Sequence, residues 1–502
     1  MSIVFLSVSV VSVLLAVVGH RVFVRKRFLA FPVYREGLSS GRDAVAEYAR
    51  NLCQDIFGTD LARGFAWCTA QRDDDFAEAM AFAAPGVAGA EMAQFRRTGV
   101  LGEWRVAVFG NTGDCLALVG LVESGDGFKV SFFQAMDPKT WGPAGTRPDA
   151  GRSHLDLTMV RQANAGEKPG HLEESLVGRL GSVRQLVEYD SSGIPRVDRQ
   201  FLLSPNPARD NCAKISQRYD GASAVAVLLV AVFSVYSLYL TLAGSREIGQ
   251  WSIPLVFGVL TGGASAVSGV LSTQDGAAAN IDLGANVRAF AMVSLLAHLT
   301  TALAFGAIVL FAIVLAGTSI NAGNALPTAA AFGGRLGPCR GFLVIPMALV
   351  LSRIWLGAST VYYSMLRSRF GVRVFFNASR SFVYSFRFAR LRAALDSLVS
   401  AAWEEAVFRV LIPSILLGVF FSHRPAAWYA IGSCVVISAI LWSFMHSTRF
   451  TANPSYRFQE LFLSGIALGA IAWHFGFGVT MLVHWLFNFQ VNLSHDHSEE
   501  AN

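Results

Sequence analysis

The sequence predicts a mainly α-helical, polytopic membrane protein: a bundle of about 8–9 transmembrane helices with a cytoplasmic α+β soluble domain inserted after the first. Three observations predict it. Of 502 residues, 53% are apolar and only 15% charged, whereas a soluble domain carries about 25% charged residues. Apolar runs of membrane-spanning length recur from Gly221 onward. Residues 1–220 hold 25 of the 41 Lys and Arg and 25 of the 35 Asp and Glu, so the net charge of +6 belongs wholly to the apolar remainder. A cationic excess there marks cytoplasmic loops and excludes a basic nucleic-acid binder, while the apolar fraction excludes disorder.

The elements follow in order. Residues 1–27 are read as an N-terminal membrane anchor. Residues 2–19 are almost wholly apolar and the run His20 to Arg27 is basic; residues 2–22 just span a hydrocarbon core. A cleaved signal peptide carries its charge before the apolar stretch, so the expectation is an uncleaved helix whose basic end lies in the cytoplasm. Residues 28–219 have soluble composition and are expected to form the cytoplasmic α+β accessory domain. A helix is expected over 41–57, with Ala44, Ala46, Tyr48, Leu52 and Ile56 on its apolar face. Strands are expected at Trp104 to Phe109, Leu116 to Val122 and Phe128 to Phe133, separated by Gly/Asp/Asn turns, with further strands at Leu155 to Val160 and Val183 to Tyr189. The Pro/Gly/Thr-rich stretch 137–152 reads as a loop, and the acidic run Asp73, Asp74, Asp75 as a solvated turn.

Apolar spans are expected at about 221–243, 251–272, 289–317 and 341–365, then at 395–421, 426–446, 458–475 and 477–493. Between the two groups lies 366–394, with seven arginines, no acid and interleaved aromatics. That composition suits an interfacial segment on anionic lipid. Placing it in the cytoplasm and counting spans back puts 28–219 there too, in agreement with the anchor. Residues 494–502 form a polar tail whose His495, His497 and acids read as a solvated end. Six cysteines without a CxxC motif imply reduced, packed thiols. Arginine outnumbers lysine 36 to 5, which points to a GC-rich genome and a bacterial plasma membrane, with the endoplasmic reticulum as the location in a eukaryote.

Ionisable groups inside spans are costly and therefore functional candidates. They gather in the last spans, as Glu404, Glu405 and Arg409 in EEAVFR, His446 at the end of WSFMH, and His484 and Asn488 in HWLFN. Glu405 and Arg409 are four apart and share a helix face. Glu404 points about 100° away, which leaves it as the candidate base. His484 and Asn488 again share a face, and Trp442 sits one turn before His446. In the derived topology all of these meet in the cytoplasmic half of the membrane. A carboxylate and an imidazole facing one cavity can deprotonate a water, and Asn and His donors can stabilise an oxyanion. Elsewhere, His298 reads as a packed helix residue and His474 as interfacial. Arg353 reads as the partner of a site glutamate or the binder of a substrate carboxylate.

EExxxR, aromatic-xxx-His and HxxxN, in this order on successive apolar segments, resemble the CPBP family of intramembrane proteases, which includes the type II CAAX prenyl endopeptidases and the bacterial Abi proteins. The resemblance covers about Leu395 to Leu493, the expected catalytic core (395–493), and does not reach the accessory domain. It departs from the family at Trp442, where the second motif usually has Phe. It implies an intramembrane endopeptidase in which Glu404 and His446 activate water, Glu405 and Arg409 support the site, and His484 and Asn488 stabilise the oxyanion. The implied substrate is a prenylated CAAX-type or other membrane-associated peptide, cut near the cytoplasmic face. A cofactor-free glutamate mechanism is favoured because Asn is a poor zinc ligand. Zinc held by Glu404, His446 and His484 is the alternative. A non-catalytic scaffold or immunity protein is the rival from another class, and a transporter is the third. No nucleic acid is expected as a partner, and the partners of 28–219 are left open.

Overall fold

The computed structural model describes residues 40–57, 63–71, 79, 95, 102–124, 127–136, 171–179, 181–189, 195–243, 252–319, 341–370, 389–421, 428–447 and 454–494. The expected anchor, the acidic run 73–75, the 137–152 loop, the strand at 155–160, residues 371–388 of the arginine-rich segment and the tail after Ser494 lie outside the described residues.

The accessory domain is one helix on a seven-stranded sheet. Helix α1 (Arg42–Phe57) carries Asp43 in its first turn, where the helix dipole favours an acid. Its core stripe is turned relative to the expected one. Val45, Ala49, Leu52, Cys53 and Phe57 are buried, whereas Ala44 is exposed and Ala46, Tyr48 and Ile56 are half-buried. Burying Val45 and Phe57 removes more apolar area from water than burying two alanines. Tyr48 stays at the edge, where its hydroxyl donates to the Phe128 carbonyl at 3.1 Å.

The strands are β1 (Phe65–Gln71), β2 (Glu103–Phe109), β3 (Cys115–Ser124), β4 (Gly127–Ala135), β5 (His171–Val177), β6 (Gly181–Tyr189) and β7 (Pro195–Leu203). Their order is β1-β2-β3-β4-β7-β6-β5, and every pairing is antiparallel. Two meanders are joined through Phe133 opposite Val197. Strands β2, β3, β4 and β6 fall where expected; β1, β5 and β7 are additional. Side chains alternate across a strand, and β2 is buried on both faces. Val106 and Val108 pack under α1, while Ala107 and Phe109 face Ile281 and the chain that follows it.

That second face docks the sheet on the helical part. Helix α2 (Pro207–Ala243) leads out of the domain, and α3 (Ser252–Asn280) and α4 (Val287–Ser319) form a hairpin. The hairpin's connection is stitched to the β2–β3 turn by Cys115 N–H donating to Ala285 O at 3.0 Å and Val287 N–H to Gly113 O at 2.7 Å. Asn286 Nδ2 donates to Asp114 Oδ1 at 2.9 Å. Gly113 has φ +86°, and a Cβ there would press on Val287 at 3.0 Å. The contact also has a charged node. Asp275 on α3 takes Arg42 of α1 and, at 2.6 Å, Arg392. Arg42 Nε also donates to the Cys68 carbonyl at 2.9 Å.

The remaining helices are α5 (Gly341–Phe370), α6 (Ala389–Glu405), α7 (Ile412–Phe421), α8 (Trp428–Ser447), α9 (Pro454–Phe475) and α10 (Phe477–Ser494), with a wider turn, Ala406–Leu411, between α6 and α7. All eight expected apolar segments are helical. Four stretches among the described residues, Pro254–Ala278, Val287–Val314, Val344–Leu366 and Trp428–Ser447, are long and apolar enough to cross a membrane. The protein is an integral membrane protein with a small separate sheet domain. The expected count of 8–9 spans exceeds these four, in part because α6, α9 and α10 carry the charged and amide groups of the site described below. Leu303, 75% exposed, and Met292, 67% exposed, show the apolar surface α4 turns outward; such a surface belongs in lipid. Gly258 and Gly306 let α3 and α4 touch, since a Cβ on Gly258 would meet the Gly306 carbonyl at 2.9 Å.

Among the described residues no cysteine is in a disulfide. Burial pushes the Cys68 thiol up to about 11 and the Cys115 thiol up to about 12, which keeps both protonated and inert. The charged node gives a test. Asp275→Ala leaves Arg42 and Arg392 facing each other without their shared counter-charge, at a cost of about 3 kcal/mol. The expected outcome is a lower melting temperature in detergent and faster amide exchange in both α1 and α6.

Candidate active site

The site begins with a break in helix regularity. After Glu405 the chain widens to a π-helical turn, with Ile412 N–H bonding back five residues to Val407 O. Pro413 accounts for it. In an unbroken α-helix its ring would press on the Arg409 carbonyl and leave that carbonyl without a donor. In the wider frame the carbonyl left over is that of Phe408, because Pro413 has no N–H. Ser438 on α8 supplies the missing donor, its hydroxyl bonding to Phe408 O. The turn is thereby fixed to the neighbouring helix, and it sets the direction in which the side chains of Glu404, Glu405 and Arg409 leave α6. Such π turns recur at functional sites.

Five of the six expected residues are buried and in contact. Glu404 Oε1 lies 3.2 Å from His446 Nε2. Glu404 Oε2 accepts the Trp442 indole N–H at 2.7 Å and lies 3.9 Å from His484 Nε2. Glu405 Oε1 accepts from His484 Nδ1 at 2.7 Å, and Glu405 Oε2 lies 3.3 Å from Arg409 Nε. His446 Nδ1 lies 2.9 Å from the Trp442 carbonyl, an acceptor only, so Nδ1 carries the proton and Nε2 turns to Glu404. Arg409 is held by charge and by the Trp442 ring, 4.5 Å from its guanidinium carbon. Asn488 is half-buried and lines the same cavity. The order of helices therefore brings both imidazole Nε2 atoms to one carboxylate, Glu404, while the second carboxylate, Glu405, lies behind and orients His484.

Residues 386–490 match a family model described as type II CAAX prenyl endopeptidase, Rce1-like. The likeness is confined to this region. The region contains α6 to α9, most of α10 and all six expected residues, and the match agrees with the resemblance carried by the three motifs. The sporulation-killing factor biosynthesis protein SkfC of Bacillus subtilis (strain 168) is 23% identical over 164 residues, covering 30% of this chain and 31% of that protein. The chain thus spans about a third of that relative's length. No solved structure matches the chain.

Glu404, His446, His484 and Asn488 face a cavity of about 500 Å³ that α3, α4 and α5 complete from outside the matched region. Sequence reasoning missed three of its features. Trp442 packs on His446, as expected from their spacing, but it also donates to Glu404; the departure from Phe was the available signal. Glu460 on α9 is a further buried carboxylate in the wall, accepting from Ser359 at 2.9 Å and Tyr363 at 2.8 Å and paired with Arg457. Arg392 and Asp396 line the end nearest the accessory domain. Arg353 does not line the cavity. His298 does, with its ring packed over Gly269, and His474 is exposed at the end of α9. Among the described residues no three His, Cys, Asp or Glu are placed to hold a metal ion. Glu404 Oε2 already takes an indole N–H, and His484 reaches toward it only at 3.9 Å. Zinc held by Glu404, His446 and His484 stays the alternative to the glutamate mechanism, and chelation distinguishes the two.

The Ser438 bond is testable without an activity. Ser438→Ala strands the Phe408 carbonyl inside the bundle, a loss of about 1–3 kcal/mol, and should lower the melting temperature of the purified protein. Ser438→Thr, which keeps the hydroxyl, should restore most of it.

Proposed function

We propose that the protein is an intramembrane endopeptidase that uses water activated by Glu404 and His446, with no covalent nucleophile. The observation that carries this reading is the convergence of His446 Nε2, His484 Nε2 and the Trp442 N–H on Glu404. A water on the cavity side of Glu404 Oε1 and His446 Nε2, in reach of both, gives up a proton as its oxygen attacks the scissile carbonyl carbon. His484, with Nδ1–H held on Glu405, presents Nε2–H to the oxyanion when it is the imidazolium. Asn488, one turn further on α10, supplies a second donor. Collapse of the tetrahedral intermediate breaks the C–N bond, and the proton taken from water passes to the leaving amine. The substrate in this reading is a membrane-associated peptide cut near the cytoplasmic face, and the accessory domain lies on that side.

Glu404→Gln keeps the shape and removes the base, so cleavage should fall by about 10³-fold or more, within the range of acid–base catalysis. The measurement is product formation by purified protein in detergent on a membrane-peptide library, wild type beside variant, with and without a strong chelator. Loss in the variant and indifference to chelation support the reading. Loss on chelation with rescue by zinc would move the mechanism to a metalloprotease, and equal activity of both proteins would favour a scaffold.

Trp442 gives a graded prediction. Trp442→Phe keeps a ring over Arg409 and deletes the N–H to Glu404. Its melting temperature should stay near wild type while kcat/KM falls about tenfold, the share of one charge-assisted hydrogen bond of about 1.5 kcal/mol.

A further inference from the structure

We propose that the accessory domain sets the spacing of the water-activating pair, with Arg42 and Tyr219 as positioning residues for Glu404 and His446. The proposal rests on the peptidase reading and gives the domain a part in the same reaction. The pair stands on two helices, α6 and α8. The bond from Ser438 to the Phe408 carbonyl joins the chain at one side of the pair. From the other side the accessory domain reaches each helix by a separate contact.

On α6 the contact is ionic. Arg42 of α1 pairs with Asp275 on α3, and its Nη1 donates to Gln274 Oε1 at 3.3 Å. Asp275 in turn holds Arg392, in the first turn of α6, at 2.6 Å. Asp396, one turn on, lies 3.6 Å from Arg392 and accepts from Ser268 of α3. The charges alternate along this chain, and none of the Arg42, Asp275 and Arg392 side chains is more than 26% exposed, so water screens them less than a surface pair. The chain ends on the stripe that carries the base, because Arg392, Asp396, Ser400 and Glu404 recur every fourth residue, share a face and line the cavity.

On α8 the contact is aromatic. Tyr219, where α2 leaves the accessory domain, packs 5.7 Å from Phe444 and 5.9 Å from Phe458 of α9, and those two rings lie 4.6 Å apart. Phe444 precedes His446 by two residues, about 200° around the helix. Tyr219 therefore backs the face of α8 opposite the imidazole. Leverage makes both contacts matter. Glu404 is about 6 Å along the helix axis from Phe408, and Arg392 about 24 Å. A tilt about the Ser438 bond that moves Arg392 by about 2 Å moves Glu404 by about 0.5 Å, the tolerance of a catalytic group.

The test uses full-length protein in detergent and a peptide that the wild type cuts. Arg42→Gln keeps a donor for the Cys68 carbonyl and loses the charge that Asp275 pairs with. Tyr219→Leu keeps apolar bulk and loses the ring. Well below its melting temperature, each variant should show kcat lower by about tenfold and KM within about twofold of wild type. Arg42→Lys and Tyr219→Phe should recover most of the loss. Amide exchange, which needs no substrate, should quicken in α6 for Arg42→Gln and in the last turn of α8 for Tyr219→Leu. Wild-type kcat in Arg42→Gln or Tyr219→Leu, a loss confined to KM, no recovery by the conservative variants, or wild-type exchange in both helices means that the contacts only dock the domain. Any of these overturns the inference and leaves the peptidase reading standing. Glu404→Gln is run beside them, and cleavage by that variant at the wild-type rate overturns the peptidase reading and the inference with it.

Discussion

Two adjacent carboxylates buried in an apolar bundle are the constraint on which the rest of the site depends. Glu405 is 0% exposed and Glu404 3%, and neither can stay ionised there without charge and hydrogen-bond partners. The surrounding residues supply them unequally. Glu405 has a cation and an imidazole N–H. Glu404 has an indole N–H and two imidazole nitrogens that face it from different helices. The inequality divides the labour: one carboxylate is committed to holding neighbours in place, and the other keeps an oxygen turned to the cavity. The partners that burial demands thus also fix orientation.

The backbone contributes as much as the side chains. Pro413 forbids a regular helix just past the two glutamates, and the wider turn that results leaves one carbonyl for Ser438 to satisfy. Helices α6 and α8, which carry Glu404 and His446, are therefore joined by a bond to the main chain as well as by the site itself. The imidazole of His446 depends on the same economy, because its Nδ1 proton goes to the carbonyl of Trp442, one turn before it on its own helix.

Much of this was legible in the sequence, for a physical reason. Charged and imidazole side chains stand out against apolar runs, and four-residue spacing fixes which of them share a face, so Glu404, Glu405, Arg409, His446, His484 and Asn488 could be named together. The helix over 41–57 and the strands beginning at Trp104, Leu116 and Phe128 were legible from period and turn residues. What was not legible depends on distant partners. The stripe of α1 is chosen by the sheet it meets. Strands β5 and β7 carry too many charges to look like strands alone. Arg42 meets Asp275 across 233 positions, and the second role of Trp442 lies in an indole N–H that only the fold aims at Glu404.

The cavity is assembled from two separated stretches of chain. Every group assigned to bond breaking lies within residues 386–490, while Ser265 to Phe305 and Trp355 supply wall from far upstream. The reacting groups are therefore written in one part of the gene, and the wall around them in two. Substitutions in the upstream helices can retune what is accepted without touching the reacting atoms, and the 386–490 unit can be inherited intact while its surroundings diverge. A likeness confined to that unit thus leaves the upstream part of the wall unmatched.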